Sequence, residues 1–525
     1  MAEHGNISFT EGPASDSYLD PLMRRYKRAC DRRALNDSII DECYEFALPL
    51  RERPYASKED GKPDLERLFD STAPTALQDL ASQFLDDTWP VDAKPFDLKA
   101  GREIPENSRE QLDRLLSPIA EDIIETVNNS GFRNEAHESL MDWGIGTGCL
   151  LIDEGDALEP IRVRALPLAE CYFDTGPYDT IDALFRPRKI RYGDLLILWP
   201  DGKFTDDHRR MMNEKPLDNC EIVESACRDW TSKGTEKWKQ CVFIPKDRHE
   251  IQRTESTGDG SKPFIDFSFT RVPGEIIGRG PVMTALPDIK TLNLTKQFVL
   301  ENADLHISGI WQAEDDGVLN LDTIRIEPRT IISKAPGSAG LERLDMKSSG
   351  FDVSQLIVEE LQHSIRKTMF SQDLGPTDKT PMSATEVLER TADRARRLAG
   401  PYNRLINELL FQVIRRVAYI RVKQGAFKIP AIDGRVIKIR PLAPITRAQA
   451  QDEILRHLRY FEIMLQTVGP QQTQVLANSE KWGRWLAGKQ GVEPTLLNTK
   501  IETAQINKAI AAMTAMAAAQ GEMAA

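Results

Sequence analysis

The stretch MDWGIGTGCLLID, residues 141–153, decides the fold class of this chain. Its glycines, Gly144, Gly146 and Gly148, have the close spacing of a loop that cradles phosphate. Such a loop must leave a buried strand and open a helix, because its amide groups and the helix dipole have to face the anion. The residues on either side therefore decide whether these glycines hold a cofactor or form a structural turn.

The flanking residues have the opposite order. Upstream, GFRNEAHESLMDWG is polar and places Phe132, Ala136 and Leu140 four residues apart, which predicts a helix. Downstream, CLLIDEGDALEPIRVRALP predicts two strands around a tight turn, the second alternating at Ile161 and Val163. We therefore predict a helix, a glycine turn that caps its C-terminus, and a hairpin. A methyltransferase-type cofactor loop is the alternative interpretation.

A second glycine motif, GRWLAGKQ at residues 483–490, is similar to a P-loop. Gly483, Gly488 and Lys489 match the spacing, but Gln490 stands where a Ser or Thr hydroxyl would hold magnesium. The preceding VLANSEKWG has a helical pattern instead of a strand. The motif is more typical of a helix end than of an ATPase site.

Residues suited to metal binding or nucleophilic catalysis are scattered. Cys220, Cys227, Cys241 and His249 are conceivable zinc ligands, but their spacing fits no two-residue knuckle, and isolated buried thiols are the favoured interpretation. No Gly-x-Ser-x-Gly elbow is present for a serine nucleophile. The sequence predicts no cofactor, no metal and no enzymatic activity.

Composition limits the possible partners. The chain has 525 residues, enough for several domains with a sizeable core, and its seven cysteines lack a Cys-x-x-Cys pair, which favours a reducing compartment. It has no signal-peptide pattern, and no apolar run approaches the roughly 20 residues needed to span a membrane. A net charge of −13 argues against tight coating of nucleic acid, because phosphate neutralisation needs surplus Lys and Arg. This net charge is compatible with DNA that passes close to the protein without binding tightly.

The order of predicted elements indicates an α+β protein that is predominantly helical. RRYKRACDRRALNDSIIDECYEFALPL predicts one amphipathic helix ended by Pro49, and TAPTALQDLASQFLDDTWP predicts another ended by Pro90. Residues 145–275 change to short strands separated by Gly and Pro turns. These strands are IRVRALP, CYFDTG, ALFRPRKI, KQCVFIP and FIDFSFTRV.

From residue 276 the pattern changes again. A glycine turn leads into a helix, and residues 306–350 contain the strands HISGIWQAE and DTIRIEPRTIIS around the turn EDDGVLN. FDVSQLIVEELQHSIRKTMF predicts a second helix, followed by the polar loop SQDLGPTDKTP. A long helix from Met382 to Gln424, kinked at Gly400-Pro401, comes next, and the C-terminus is helical.

This order resembles the portal proteins, the head-to-tail connectors, of short-tailed bacteriophages. The resemblance rests on local motifs as well as on their order. They are EFALPL at the end of the arginine-rich first helix, FDSTAPTALQDLASQFL, GIGTGCLLID with ALPLAECYF, GRGPVMTALPDIKTLN, and SATEVLERT at the head of the long helix. By this resemblance the glycine turn is a structural turn of the portal body.

The resemblance implies an elongated subunit that forms a ring of twelve at one capsid vertex. It implies a division into wing, stem, clip and crown. The wing would be residues 1–276, the stem helices 277–305 and 351–370, the clip 306–350, the tunnel loop 371–381, the long wing helix with a hairpin 382–444, and the crown 445–525.

The implied function is a channel for double-stranded DNA during packaging and ejection. Terminase, a tail adaptor, and the major capsid and scaffolding proteins are the implied partners, and the implied location is the virion, with assembly in the host cytoplasm. The candidate DNA contacts are Lys379, Arg366 and Lys367, and the candidate adaptor contacts are Trp311, Asp315, Asp316 and Val318. Two alternatives remain: a glycine-loop enzyme (methyltransferase or NTPase), and a capsid structural protein without a channel.

Overall fold

The computed structural model describes residues 18–51, 67–91, 93–231, 234–308, 310–313, 341–344, 351–371, 400–430, 432–442, 444–468 and 479–490. These residues belong to two compact units. Unit 1 draws on Met1–Ile40, Asp79–Gly280 and Asp373–Ala525, and unit 2 on Asp41–Gln78 and Pro281–Gln372.

The first helical segment is broken in its middle. Helix α1 runs from Leu19 to Ala34 and helix α2 from Asp37 to Ala47, so the prediction of one continuous helix was wrong. Asn36 donates its amide hydrogen to Arg33 O, and its own carbonyl accepts from Ile40 N at 3.0 Å, which starts α2. Asn is among the residues that most favour this helix-starting position.

A three-stranded antiparallel sheet follows the glycine turn. Helix α5, Phe132–Ile145, leads into β2, Thr147–Glu154, which pairs with β3, Ile161–Ala165, on one side and β9, Phe264–Ser268, on the other. The predicted order of helix, turn and hairpin is confirmed. The inward-facing side chains of β2, such as Leu150 and Ile152, are fully buried.

A five-stranded antiparallel sheet has the order β4-β5-β6-β7-β8. Sequence patterns predicted three of its strands and missed β6 and β8, because their alternation is interrupted by charged residues. Helix α1 packs across this sheet through Leu22 and Tyr26, which contact Phe185 and Phe243. Short helices α6, Leu195–Leu198, and α7, Asp206–Glu214, lie between β5 and β6 in the chain. The strands are Tyr172–Thr175, Ile181–Arg191, Asn219–Arg228, Lys237–Ile244 and His249–Thr257.

Distant parts of the chain meet in a two-stranded sheet. Strand β1, Phe96–Ala100, pairs antiparallel with β12, Ile437–Pro441, and local sequence patterns gave no indication of this pairing. Helix α3 is Thr72–Thr88, and α4, Glu106–Asn129, is tied to the later part of the chain by the two hydrogen bonds between Arg421 and Asp122, at 2.7 and 3.0 Å.

The second half of the predicted long helix is helical but not uniform. Residues 400–405 are α-helical, Ile406–Leu410 form a π-helical turn, and α10 continues from Phe411 to Lys423. The predicted apolar stripe is buried along its length, as Leu405, Leu409, Val413 and Val417 illustrate. The first half of the predicted helix, 382–399, lies outside the described residues, and so the proposed kink is not tested.

Unit 2 contains two packed helices and a short strand pair. Helix α8 runs from Pro281 to Ser308, and α9 from Phe351 to Thr368. Strand β10, Ile310–Ala313, pairs with β11, Leu341–Leu344. The helix continues through His306 to Ser308, where a strand had been predicted, and β11 was not predicted. The segments EDDGVLN and DTIRIEPRTIIS lie outside the described residues.

The described C-terminal region is helical, as predicted. Helix α11 is Pro444–Val468, and α12 is Ser479–Gln490. The rings of Phe461 and Trp482 lie 5.3 Å apart, so aromatic contacts join the two helices. No helix among the described residues is long and apolar enough to cross a membrane.

Candidate functional site

The glycine turn of residues 144–148 is filled by protein. Helix α5 continues through Gly144 and Ile145 and ends at Gly146, whose φ of −174° is extended. Gly146 is the C-cap residue of α5, as the predicted glycine cap requires, and its conformation is extended rather than left-handed. The requirement for glycine here comes from space: a Cβ on Gly146 would lie 2.3 Å from Gly278 O, and one on Gly280 would lie 2.1 Å from Gly144 O.

The turn interlocks with a second glycine run that precedes α8. Gly280 N donates to Ile145 O at 2.8 Å, Phe269 N donates to Gly146 O at 3.0 Å, and Gly278 N donates to the Thr147 hydroxyl at 2.8 Å. Gly146 N is bonded to Asp142 O within the helix. These backbone groups bind protein atoms, whereas a phosphate loop must direct free amides at its ligand. The methyltransferase interpretation is therefore wrong for this turn.

The P-loop interpretation fails for a similar reason. Residues 483–490 lie entirely within α12. A helix engages its interior amides in its own hydrogen bonds and cannot wrap them around a phosphate. This segment therefore does not have the conformation of a P-loop.

Two charged side chains anchor the long helical segment to the sheets of unit 1. Glu408, on the π-helical turn, accepts a hydrogen bond from Ser268 N at 2.8 Å, and burial raises the pKa of its carboxyl group. Arg416 is only 6% exposed and donates to Ile152 O at 2.9 Å and to Ser261 O at 3.2 Å. Burial lowers the pKa of Arg416. Both groups bind backbone atoms, which is a structural role.

The conceivable zinc ligands do not come together. Cys227 and Cys241 lie in the core beneath α1, whereas Cys220 belongs to a separate apolar cluster. His249 Nε2 lies 2.6 Å from Lys203 O. Burial raises the pKa of the Cys227 and Cys241 thiols to about 12, which keeps them protonated. Among the described residues, no group of three or more His, Cys, Asp or Glu side chains could hold a metal ion.

A cleft of about 180 Å³ in unit 1 is lined by charged residues that neutralise one another. Arg164 pairs with Asp153 at 3.0 Å. Glu224 receives Arg188 at 2.8 Å and lies 3.8 Å from Arg186. Both carboxylates that line the cleft are thus paired with guanidinium groups.

Unit 2 is fastened by a polar network around α8. The buried Asn293 amide accepts from Phe69 N and donates to Arg67 O, both at 2.7 Å. Asp70 pairs with Lys296 and accepts from Gln362 of α9 at 3.1 Å. The segment that precedes α3 is thereby fixed to both helices of the pair, and sequence periodicity did not reveal this.

The helix pair of unit 2 also exposes large apolar side chains. On α8, Leu294, Phe298 and Leu300 are 51%, 59% and 55% exposed. On α9, Leu356 is 66% exposed and Ile357 is 42% exposed. Five large apolar side chains of the helix pair are therefore exposed to solvent in the single chain.

Few of the candidate contact residues fall within the described chain. Arg366 and Lys367 occupy the last turn of α9 and are exposed. Trp311 lies on β10, where its backbone pairs with Arg343. Asp315, Asp316, Val318 and Lys379 lie outside the described residues, so the contacts predicted for them stay predictions.

The family model described as bacteriophage head to tail connecting protein matches residues 19–497. The chain belongs to the bacteriophage head-to-tail connecting proteins. No curated protein matches its sequence.

Two solved structures resemble the chain at low identity. A chain from the virion of a native gene transfer agent particle is 12% identical, with a TM-score of 0.37; the match covers 86% of this chain and 99% of that one. A chain from the neck of an empty gene transfer agent particle, computed with C6 symmetry, is 12% identical, with a TM-score of 0.34 and coverage of 82% and 94%.

Proposed function

We propose that this chain is the portal protein of a phage-like particle. Twelve copies form a ring at one capsid vertex, pass double-stranded DNA inward during packaging and outward during ejection, and dock terminase and a tail adaptor. Membership of the head-to-tail connecting family supports the proposal. The observation that carries it is the exposed apolar surface on the helix pair of unit 2.

The helix pair α8 and α9 serves as the stem. Phe298 is 59% exposed and Leu356 is 66% exposed. Fully burying an exposed side chain of this size stabilises a protein by roughly 1.5–3 kcal/mol. A ring supplies a neighbouring copy to cover such side chains in every subunit. Closed rings form when each subunit contacts the next through two different surfaces.

The end of α9 supplies candidate contacts to DNA. Arg366 and Lys367 are exposed there, and Lys379 belongs to the tunnel loop, residues 371–381, that follows the helix. A few basic groups per subunit on an acidic chain give weak phosphate contacts, which let a duplex slide. Channel side chains that held DNA tightly would oppose translocation.

The clip, residues 306–350, is the proposed adaptor-binding module, with contacts from Trp311, Asp315, Asp316 and Val318. Residues 1–276 form the wing, and residues 445–525 the crown that faces the capsid interior. The motor that consumes ATP is the terminase, so the ring needs no nucleotide site of its own. Neither glycine motif of this chain, 144–148 or 483–490, has the geometry of one.

The ring is tested by electron microscopy and native mass spectrometry of the purified chain. We expect annular particles with a central hole, and we expect Phe298→Glu to dissociate them because it places a charge in the subunit contact. The matched control is Leu158→Glu, at a side chain that is 96% exposed in a turn of unit 1. Particles without a hole, or rings that tolerate Phe298→Glu as well as Leu158→Glu, would contradict the proposal.

A further inference from the structure

Arginines of α1 surround two buried carboxylates at one end of the five-stranded sheet. Asp174, fully buried on β4, accepts from Arg25 Nε and from Arg28 Nε, each at 2.9 Å, and Arg32 lies 3.7 Å away. Arg25 also donates to Asp182 at 2.5 Å. Three guanidinium groups thus share two carboxylates, which leaves the cluster with surplus positive charge.

Two aromatic rings and a fourth arginine extend this cluster. Trp230 Nε1 donates to the second oxygen of Asp182 at 2.7 Å. The guanidinium of Arg228 lies 4.0 Å from the centre of the Trp230 ring, and the ring of Tyr178 lies 5.5 Å from it. We call Arg24, Arg28, Arg32, Arg228, Tyr178 and Trp230 the arginine face.

In the arginine face, Arg24 and Tyr178 are exposed to solvent, whereas Arg228 and Trp230 are half-buried. The side chains of Arg28 and Arg32 are 49% and 44% exposed. Arg24, also exposed, precedes Arg28 by four residues, so three guanidiniums follow one side of α1 at intervals of about 6 Å. Within the described part of the chain, no carboxylate forms an ion pair with Arg24 or Arg228.

Few acidic groups oppose this charge. Asp20, one turn before Arg24 on α1, lies 3.8 Å from Arg248, and Asp31 on α1 and Asp179 in the turn before β5 are exposed nearby in the chain. Asp229 is already bound to Lys239 at 2.9 Å, and that hydrogen bond lowers the pKa of Asp229. The local excess of arginine contrasts with the net charge of −13 of the whole chain.

We propose that the arginine face binds the phosphate backbone of double-stranded DNA, without reading its sequence. Each strand presents its phosphates at a regular spacing along the duplex, and a row of guanidiniums about 6 Å apart on a rigid helix can contact several of them. Arg binds phosphate oxygens through two parallel N–H groups. Arg25 and Arg28 anchor α1 to Asp174 and Asp182. This anchoring fixes the helix and lowers the entropic cost of ordering it on binding. This contact is separate from the channel contacts of the proposed function.

The test uses the double variant Arg24→Gln/Arg228→Gln, because neither residue holds a buried carboxylate and the fold should survive. Binding of a fluorescent duplex of arbitrary sequence to the full chain is measured by anisotropy over a range of salt concentrations. We expect several-fold weaker binding at low salt. We also expect the slope of log K against log salt to become shallower by about 1.8, since each lost phosphate contact removes about 0.9.

The matched control is Arg210→Gln, an arginine 64% exposed on α7, which should leave affinity and slope at wild-type values. The proposal is overturned if the wild-type chain does not bind duplex DNA, or if the double variant and the control have equal slopes. Greater loss of polyglutamate binding than of DNA binding in the double variant would assign the face to an acidic protein, and would also overturn it. Electron microscopy of the same samples reports ring formation independently, so failure here is distinguishable from failure of the portal assignment.

Discussion

Glycine is required at position 146 because a side chain would not fit there. Its backbone conformation is not the reason, since any residue can adopt its φ of −174°. A Cβ at this position would lie 2.3 Å from the carbonyl oxygen of Gly278, a backbone atom that cannot rotate away. We expect Gly146→Ala to lower the free energy of unfolding by about 1–3 kcal/mol, the usual cost of overpacking. Denaturant-induced unfolding of the full chain measures this change.

Gly483→Ala is the matched control for that substitution. Gly483 lies in α12 with no atom near its missing Cβ. Alanine there should stabilise the helix by about 0.5–1 kcal/mol, because glycine loses more conformational freedom on folding. If Gly146→Ala unfolds at the same denaturant concentration as wild type, the close approach of Gly278 O does not exclude a side chain at position 146.

Single residues show what the sequence could and could not predict. The cluster Gly144, Gly146 and Gly148 was visible in the sequence, and its flanking residues favoured a structural turn over a cofactor loop. Its partner, the run at Gly278 and Gly280, was visible only as a separate turn, because the two meet through tertiary packing. Glu408 and Arg416 gave no signal, since a charge within an apolar stripe does not reveal the backbone atom that it will bind.

At the scale of elements, helices and strands with a strongly periodic apolar pattern were predicted from the sequence, and those with a weak pattern were missed. Helices α8 and α9 were predicted from their apolar spacing, as was the hairpin β2–β3. The break between α1 and α2 was missed because the helical pattern continues across Asn36. The pairing of β1 with β12 was missed because the two strands come from distant parts of the chain, and pairing of this kind depends on packing more than on propensity.

The anchoring of α8 gives a prediction about pH. Burial opposes ionisation of Asp70, but hydrogen bonds from Lys296, Thr72 and Gln362 outweigh it and lower the pKa of its carboxyl group. A depressed pKa stabilises the fold above the unfolded value of about 3.9, and the effect is lost as pH falls through the folded value. We expect Asp70→Asn to lower the free energy of unfolding at neutral pH by about 1–3 kcal/mol.

The difference between Asp70→Asn and wild type should shrink below about pH 4, where the wild-type carboxylate also becomes protonated. Denaturant unfolding between neutral and acid pH measures this. Asp201→Asn is the control, at an exposed position in unit 1, and should follow the wild-type curve. A constant offset at every pH would mean that the Asp70 charge does not stabilise unit 2.

The clip gives a prediction at the same scale. Residues 306–350 contain too few apolar residues to bury a separate core, so they form a contact surface in the proposed function. Deletion of residues 313–319 removes Ala313, the last residue of β10, and all of the turn EDDGVLN except Asn320. We expect rings to form normally and the tail adaptor to stop binding, as measured by co-sedimentation of adaptor with purified rings. Normal adaptor binding would place the contact elsewhere.

At the scale of the whole molecule, the order of the motifs along the chain indicated the family better than any single motif did. Each motif that suggested a portal was weak alone, and the family match over residues 19–497 confirms their joint interpretation. In the proposed function, a neighbouring copy covers the large exposed side chains on α8 and α9. In the proposed function, the ring, the channel and the partner contacts involve many chains, and the sequence of one chain specifies them only through its surfaces.

A ring of acidic subunits should hold DNA through few contacts, and Lys379 is the one that we expect to matter most. It is the only basic residue between Ser371 and Pro381, where Asp373 and Asp378 repel phosphate. Lys379→Ala should leave ring assembly unchanged and alter DNA packaging or retention. The effect should be largest at low salt, because phosphate contacts weaken as salt rises.

The control for Lys379→Ala is Lys428→Ala, at an exposed lysine after α10. Electron microscopy checks the rings, and nuclease protection of packaged DNA over a series of salt concentrations checks retention. If the loop acts by charge, the retention deficit of Lys379→Ala is greatest at low salt and fades as salt screens every phosphate contact, while Lys428→Ala matches wild type throughout. If both variants match wild type at every salt concentration, Lys379 makes no contact with DNA, and the loop acts only by its size.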